Sequence, residues 1–228
     1  MFKKDLSASP KQKLKSSIQR SLRNSLLSTY PLLTPHIDEL LPKKSSLEQV
    51  KLPDRVSLFV LEGQPLFYQQ DTAAHGNVLV PHLKLVHRFP QSFPTICIDR
   101  GAIRFVLSGA TLMAPGLTSK GGRLPMPKDG QEEEESSSEE EDSDEEDDED
   151  EEGGQARKVK NEGVDADGHW SRELKKGEPV VVMAEGKEEA CAVGILSIGT
   201  KEVKEKGKGP VIEEGHYLGD GLWRLSLD

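Results

Sequence analysis

From Thr118 to about His169 the chain is Gly, Lys, Ser and Asp/Glu with almost no large apolar residue, and this stretch limits how the rest can fold. Such a segment cannot bury enough apolar surface to offset its ordering entropy. Apolar, strand-like runs stand on both sides of it, so residues 118–169 are expected to form a disordered insertion inside a domain rather than a linker between two. The folded body must then be assembled from the residues on either side of the insertion. The insertion also distorts the charge balance. Between Glu132 and Glu152 lie 17 acidic residues and no basic one, which leaves 23 of the 40 acidic residues to set against 30 Lys and Arg elsewhere. A formal charge of -10 therefore hides a body with an excess of about seven positive charges. A basic body with one acidic block fits a polyanionic partner such as RNA.

Before the insertion, Leu14, Ile18, Leu22 and Leu26 recur every fourth position and predict a helix from Pro10 to Tyr30, loaded with Lys11, Lys13, Lys15, Arg20 and Arg23. Thr34 and Pro35 suit the N-cap and first position of a second short helix, which Pro42 ends. Strands are expected at Val56 to Leu61 and Leu66 to Tyr68, then a helix from Pro81 to Arg88. Residues 1–93 read as an N-terminal α/β domain, near the lower size for a self-sufficient core. A fragment ending near Phe93 is expected to be soluble.

The second domain is expected to be split into 94–117 and 170–228. Ile96-Cys97-Ile98 reads as a strand, Asp99 as an N-cap, and Ile103, Val106, Leu107 and Ala110 as the inward face of a helix. Gly109 stands where that helix needs a left-handed residue. Thr111 to Ala114, Val180 to Ala184, Ala190 to Leu196, Val211-Ile212 and His216 to Leu218 supply short strands, Lys201 to Lys208 a basic loop, and Trp223, Leu225 and Leu227 an alternating last strand. Many short strands around one helix suggest a small barrel with an antiparallel sheet, and the fold class is α+β.

Cys97 and Cys191 sit in apolar runs and resemble small core residues; two cysteines make no disulfide framework, as expected of a reducing compartment. No run approaches the roughly 20 apolar residues of a membrane span, and the first residues lack a secretory leader. A cytoplasmic protein with no membrane partner is the expectation.

Catalysis finds little support. There is no G-x-S-x-G, P-loop or dinucleotide fingerprint, so no cofactor is implied, and His82 and His87 lie five apart without companions suited to zinc. Arg100 and Arg104, four apart, would share a helical face. The small Gly101 and Ala102 would leave the first-turn amides open to phosphate. The same residues also fit a tightly packed turn with solvated arginines. Lys201, Lys204, Lys206 and Lys208, with Gly207 and Gly209, could track a phosphate backbone, although Glu202 and Glu205 interleave them and a solvated loop fits equally well.

The stretch from Asp99 to Leu117, DRGAIRFVLSGATLMAPGL, resembles the opening of a PUA domain, and Glu214 to Trp223, EGHYLGDGLW, its closing strands. With the opening MFKK, the Leu41-Pro42-Lys43-Lys44 segment and VVVMAEGKEEACAVGIL, the chain is similar to the malignant T-cell-amplified sequence family and its fungal translation machinery-associated members. That resemblance implies a PUA pseudobarrel that binds structured RNA. It also implies a non-catalytic factor of the small (40S) ribosomal subunit, paired with density-regulated protein, acting in removal of deacylated tRNA, subunit recycling, translation initiation and reinitiation, with RNA and not DNA as its nucleic-acid partner. Since PUA domains also accompany RNA-modifying enzymes, an accessory subunit or relic of a pseudouridine synthase-like enzyme is the alternative.

Ser136, Ser137, Ser138 and Ser143 each have an acidic residue three positions on, the pattern acidophilic kinases favour, and each phosphate would add about -1.5 to -2 charges. An acidic tract of this kind is expected to compete with RNA for the basic body, against the simpler reading of a passive solubilising segment. Deleting Gln131 to Gly153 should leave the melting transition intact and tighten ribosome binding at low salt; equal affinities across a salt series would leave only the solubilising role.

Overall fold

The computed structural model describes residues 2–42, 44–71, 78–125, 170 and 172–227. Ser136, Ser137, Ser138, Ser143 and the whole acidic run from Glu132 to Glu152 lie outside the described residues.

The first unit is an antiparallel meander in the order β1-β2-β3-β4-β5, formed by Gln12–Lys13, Glu48–Leu52, Val56–Leu61, Gln64–Gln70 and Leu79–Pro81. Glu62 and Gly63 join β3 to β4 with φ of 49° and 77°, the two positive values a two-residue hairpin turn of matching twist requires. Helix α1 spans Ser16–Thr29, not Pro10 to Tyr30. The preceding residues go to the sheet edge instead: Ser9 donates to the Lys51 carbonyl and Leu14 to that of Leu47, so the backbone finds partners across the sheet before a helix can claim it. The apolar stripe is correspondingly uneven, with Leu26 buried, Leu14 and Leu22 half-buried and Ile18 exposed. Tyr30 ends α1 by packing on Phe67 and Phe93 and donating its hydroxyl to the Leu79 carbonyl at 2.6 Å. A 3₁₀ segment, Pro31–His36, then runs into α2, Ile37–Leu40; Thr34 is inside it, donating to the Pro31 carbonyl, and caps nothing. Helix α3, Leu83–Arg88, is capped by His82, whose ring accepts from the Lys84 amide.

The second unit opens with β6, Thr95–Ile98, followed by α4, Ile103–Leu107, β7, Leu112–Met113, and α5, Pro115–Thr118. The fold continues beyond Thr118. Arg123 and Cys97 exchange backbone hydrogen bonds, and Pro125 is buried. After the insertion come β8, Pro179–Ala184, β9, Ala192–Ile195, α6, Thr200–Lys206, β10, Pro210–Ile212, β11, Gly215–Tyr217, and α7, Gly221–Arg224. The main sheet runs β11-β9-β8-β6 and is mixed rather than antiparallel, because β6 pairs parallel to β8. Strands β7 and β10 form a separate antiparallel pair.

Two expected elements change type. Lys201 to Lys208 is mostly the helix α6, not a loop: Val203 is fully buried, Lys206 pairs with Glu202 one turn back, and Gly207 ends the helix at φ 60°. The last strand is the helical turn α7, because Asp220 accepts from the Trp223 amide at 2.8 Å and nucleates it.

Strand β8 explains its own unbroken apolar run. Val180, Val182 and Ala184 face the second unit's core, whereas Val181, with Val193, Ile195 and Ala190, completes the core of the first. A strand buried on both faces has no polar side to alternate. The N-terminal meander is therefore not closed by its own residues, and the fragment ending near Phe93 would leave these contacts open to water.

At the seam, Asp220 is fully buried. Its carboxylate accepts from His216 Nδ1, at 2.9 Å to each oxygen, and from the Tyr217 and Trp223 amides. The His216 ring lies 4.4 Å from that of His82, centre to centre, and Phe2 packs edge-on against both Tyr68 and His216. Gly221 donates to the Phe2 carbonyl, and a Cβ there would come within 1.9 Å of the Lys4 carbonyl.

Asp220→Ala strands three buried donors and is expected to cost about 3–5 kcal/mol in chemical denaturation; a loss under about 1 kcal/mol would deny it this role. The seam should also be acid-labile. Burial, then the neighbouring His216, holds His82 well below its ordinary range, and burial lowers His216 despite its bond to Asp220. The unfolded chain protonates both near pH 6.5 while the folded chain does not, so their contribution is full above about 6.5 and is lost as pH falls toward the folded values. The denaturation free energy should drop by up to about 1.4 kcal/mol per pH unit for each histidine below that point, and a midpoint unchanged down to about pH 5 would contradict it.

Candidate nucleic-acid interface

Asp99 ends β6 and folds its carboxylate over the next residues. Oδ1 accepts from the Gly101 amide at 2.7 Å and the Ala102 amide at 3.1 Å, and Oδ2 accepts from the Ser119 hydroxyl at 2.9 Å. This side-chain turn delays the helix, so α4 begins only at Ile103 and Arg100 precedes it. Two expectations change. Arg100 and Arg104 are not one turn apart on a single helix, and the amides of Gly101 and Ala102 are not open to phosphate, because a carboxylate already occupies them. What the turn presents is side-chain charge: Arg100 and Arg104 are exposed, and among the described residues neither is in an ion pair.

The lysines divide by position. Lys208 sits between Gly207 and Gly209, which take φ of 60° and 103°. Gly209 accepts from the Ala114 amide at 2.9 Å, and Gly116 accepts from the Asp99 amide at 2.8 Å. The Lys208 loop, the start of α5 and the Arg100 turn are thereby laid side by side along one edge. Lys206 is engaged by Glu202. Lys201 is at the far end of α6, roughly 10 Å away at 1.5 Å rise per residue, where Thr200 is tied to Leu174. Lys204 is exposed one turn short of Lys208 and is in no ion pair among the described residues.

The expected inward face of α4 is only partly inward. Val106 is buried, Ile103 half-buried, and Leu107 and Ala110 are exposed. More telling is Phe105, 52% exposed, with the Arg104 guanidinium carbon 4.7 Å from its ring centre. Phe105 is absent from the residues that the sequence pattern singles out; its signal was an aromatic residue one position off the apolar stripe and next to an arginine. Met113, exposed on β7, and Leu107 add apolar surface to the same unit.

Other candidates resolve into structure. His82 bonds the Leu222 carbonyl and His87 that of Ala190, so both tie the two units together. Among the described residues no group of three or more His, Cys, Asp or Glu is placed to hold a metal ion. Cys97 is at a sheet edge and half-buried rather than in the core, and burial, partly opposed by Arg123, raises its thiol pKa; burial pushes Cys191 up to about 12. Neither favours the thiolate that nucleophilic chemistry needs. Among the described residues no helix is long and apolar enough to cross a membrane.

Residues 2–90 match the Pre-PUA-like domain. Over 218 residues the chain is 40% identical to translation machinery-associated protein 20 of Saccharomyces cerevisiae, covering 96% of this chain and 93% of the relative. It is 36% identical to the malignant T-cell-amplified sequence 1 homolog of Drosophila melanogaster, covering 98% of this chain and 95% of that one. A crystal structure of a PUA domain from Aeropyrum pernix superposes with a TM-score of 0.57 at 16% identity, covering 96% of this chain and 90% of that one, which shows the shared fold. With a PUA-like architecture and this similarity over nearly its whole length, the chain belongs to the family of the translation machinery-associated protein 20 and malignant T-cell-amplified sequence proteins.

Proposed function

We propose that this protein is a non-catalytic RNA-binding factor of translation, and that its RNA surface is the edge carrying Arg100, Arg104 and Lys208. The observation that carries the reading is that these cations are all exposed on the second unit, with none of them in an ion pair among the described residues, in a chain that shares its fold with a PUA-domain structure. Cations left unneutralised by the protein's own acids keep their full attraction for phosphate, and release counterions when they meet it. The yeast relative's name ties that protein to the translation machinery and supports the same setting here.

In finer terms, the protein acts on the small ribosomal subunit together with density-regulated protein, in removal of deacylated tRNA and in initiation or reinitiation, within the cytoplasm. Lys201 and Lys204 belong to an outlying part of the surface, reached only by an RNA long enough to follow α6. The family resemblance supports these finer statements, and the basic edge is compatible with them.

Arg104→Glu should weaken binding to the small subunit by roughly 1–3 kcal/mol and make its salt dependence shallower by about one counterion, with an unchanged melting transition. Val106→Asp places a charge in the buried face of α4 and should unfold the second unit instead. An Arg104→Glu protein with normal affinity and an unaltered salt slope would move the RNA surface away from this edge.

A further inference from the structure

Phe105 is the most exposed large apolar residue among those described, at 52%, and it belongs to neither buried core cluster. Its backbone is held firmly. The amide donates to the Ala102 carbonyl, and its own carbonyl accepts from the Ser108 and Ala110 amides and from the Ser108 hydroxyl. The Arg104 guanidinium lies over the ring at 4.7 Å while about half of the residue stays exposed to solvent. Arg104 touches the ring, and Arg100 and Lys208 are further exposed cations of the same unit, neither in an ion pair among the described residues.

A purely apolar protein surface seated on Phe105 would strip water from these cations without an anion to receive them, which costs more than one ring's burial returns. A protein partner would have to bring carboxylates placed to meet each of them. A nucleotide supplies both halves of the match: a phosphate for the guanidinium and a π-face for the ring. Paired bases are stacked on one another and present no free face, so the fitting ligand has at least one unpaired base beside a stretch of backbone.

We propose that Phe105 is a stacking platform for an unpaired base of the bound RNA, at a single-stranded end or a bulge, with Arg104 bridging ring and phosphate. The site deepens the proposed function and rests on it: cations at the edge hold the backbone whatever the sequence, while Phe105 selects RNA in which a base is free. Stacking is largely indifferent to base identity, so the selection is for structure, not sequence.

The test uses the full chain and three RNAs: a blunt hairpin, the same hairpin with a short 3′ single-stranded overhang, and that overhang made abasic. The protein should bind the overhang RNA roughly tenfold more tightly than the other two. Phe105→Ala should erase this preference, leave blunt-hairpin affinity, melting and salt slope unchanged, and show no further loss on the abasic RNA. Phe105→Trp should keep the preference. Arg104→Glu, by contrast, should weaken all three and change the salt slope. If all three RNAs bind and Arg104→Glu weakens them, but the preference is absent or survives Phe105→Ala, the stacking platform is wrong and the basic edge stands. If Phe105→Ala leaves RNA binding unaltered and instead releases a protein partner, the ring is a protein contact. If none of the three RNAs binds the wild-type protein, the RNA-binding reading itself falls, and the platform with it.

Discussion

A carboxylate with no access to water organises the seam of this protein. Burying Asp220 unpaired would cost several kcal/mol, and it is tolerated because three donors converge on it: His216 Nδ1 and the amides of Tyr217 and Trp223. Those bonds shape everything after β11. They tighten the turn, start α7, carry Leu222 into the core of the first unit, and place Gly221 so close to the chain's opening segment that no side chain would fit. They also set a tautomer. With Nδ1 donating to Asp220, His216 Nε2 is left as a buried acceptor with no partner among the described residues, beside a His82 ring that burial also holds neutral. Two neutral imidazoles in contact are compatible; two imidazoliums without water are not.

The seam reaches the basic edge through packing. Tyr217 follows His216, and its ring and hydroxyl press on Gly109, where a Cβ would stand only 2.7 Å from the ring and 2.8 Å from the Lys3 side chain. Gly109 is the left-handed end of α4, at φ 71°, so the short helix that presents Arg104 and Phe105 is braced by the residue next to the buried pair. On its other flank α4 is fixed by the Asp99 turn and the close contact of Gly116 with Ala102. A helix of five residues has little stability of its own. Here both of its ends are held by tertiary contacts, and that rigidity is what allows an exposed aromatic ring to keep its place.

The same arrangement explains the double burial of the second sheet. One face of β8 and β9 completes the meander's core, and the other supports α4, α6 and the β7–β10 pair. Gly194 marks how tight this is, since a Cβ there would lie 2.5 Å from the Ile212 side chain. The two units therefore share one sheet, and packed side chains connect the seam with α4.

What the sequence determined by itself was local or periodic. The runs of β8 and β9, the strand Thr95–Ile98, the helix before Arg88 and the left-handed Gly109 are all set by the residue and its near neighbours. The resemblance carried by Asp99 to Leu117 and by Glu214 to Trp223 likewise led to the family. Tertiary structure decided the cases where two local readings competed. Ser9 to Leu14 joined a sheet edge because β2 offered partners, the last alternating residues became a helical turn because Asp220 captured the Trp223 amide, and the lysine-rich loop became α6 because Val203 had a core to enter. Site chemistry was decided at the same level. Only in three dimensions does the Asp99 carboxylate take the amides of Gly101 and Ala102, so that the exposed charge there is that of side chains such as Arg100 and Arg104, and only there does Phe105 stay exposed. The reason is physical: backbone preference and hydrophobic period depend on residues within a turn of each other, whereas burial, ion pairing and hydrogen-bond competition depend on neighbours through space that folding alone brings together.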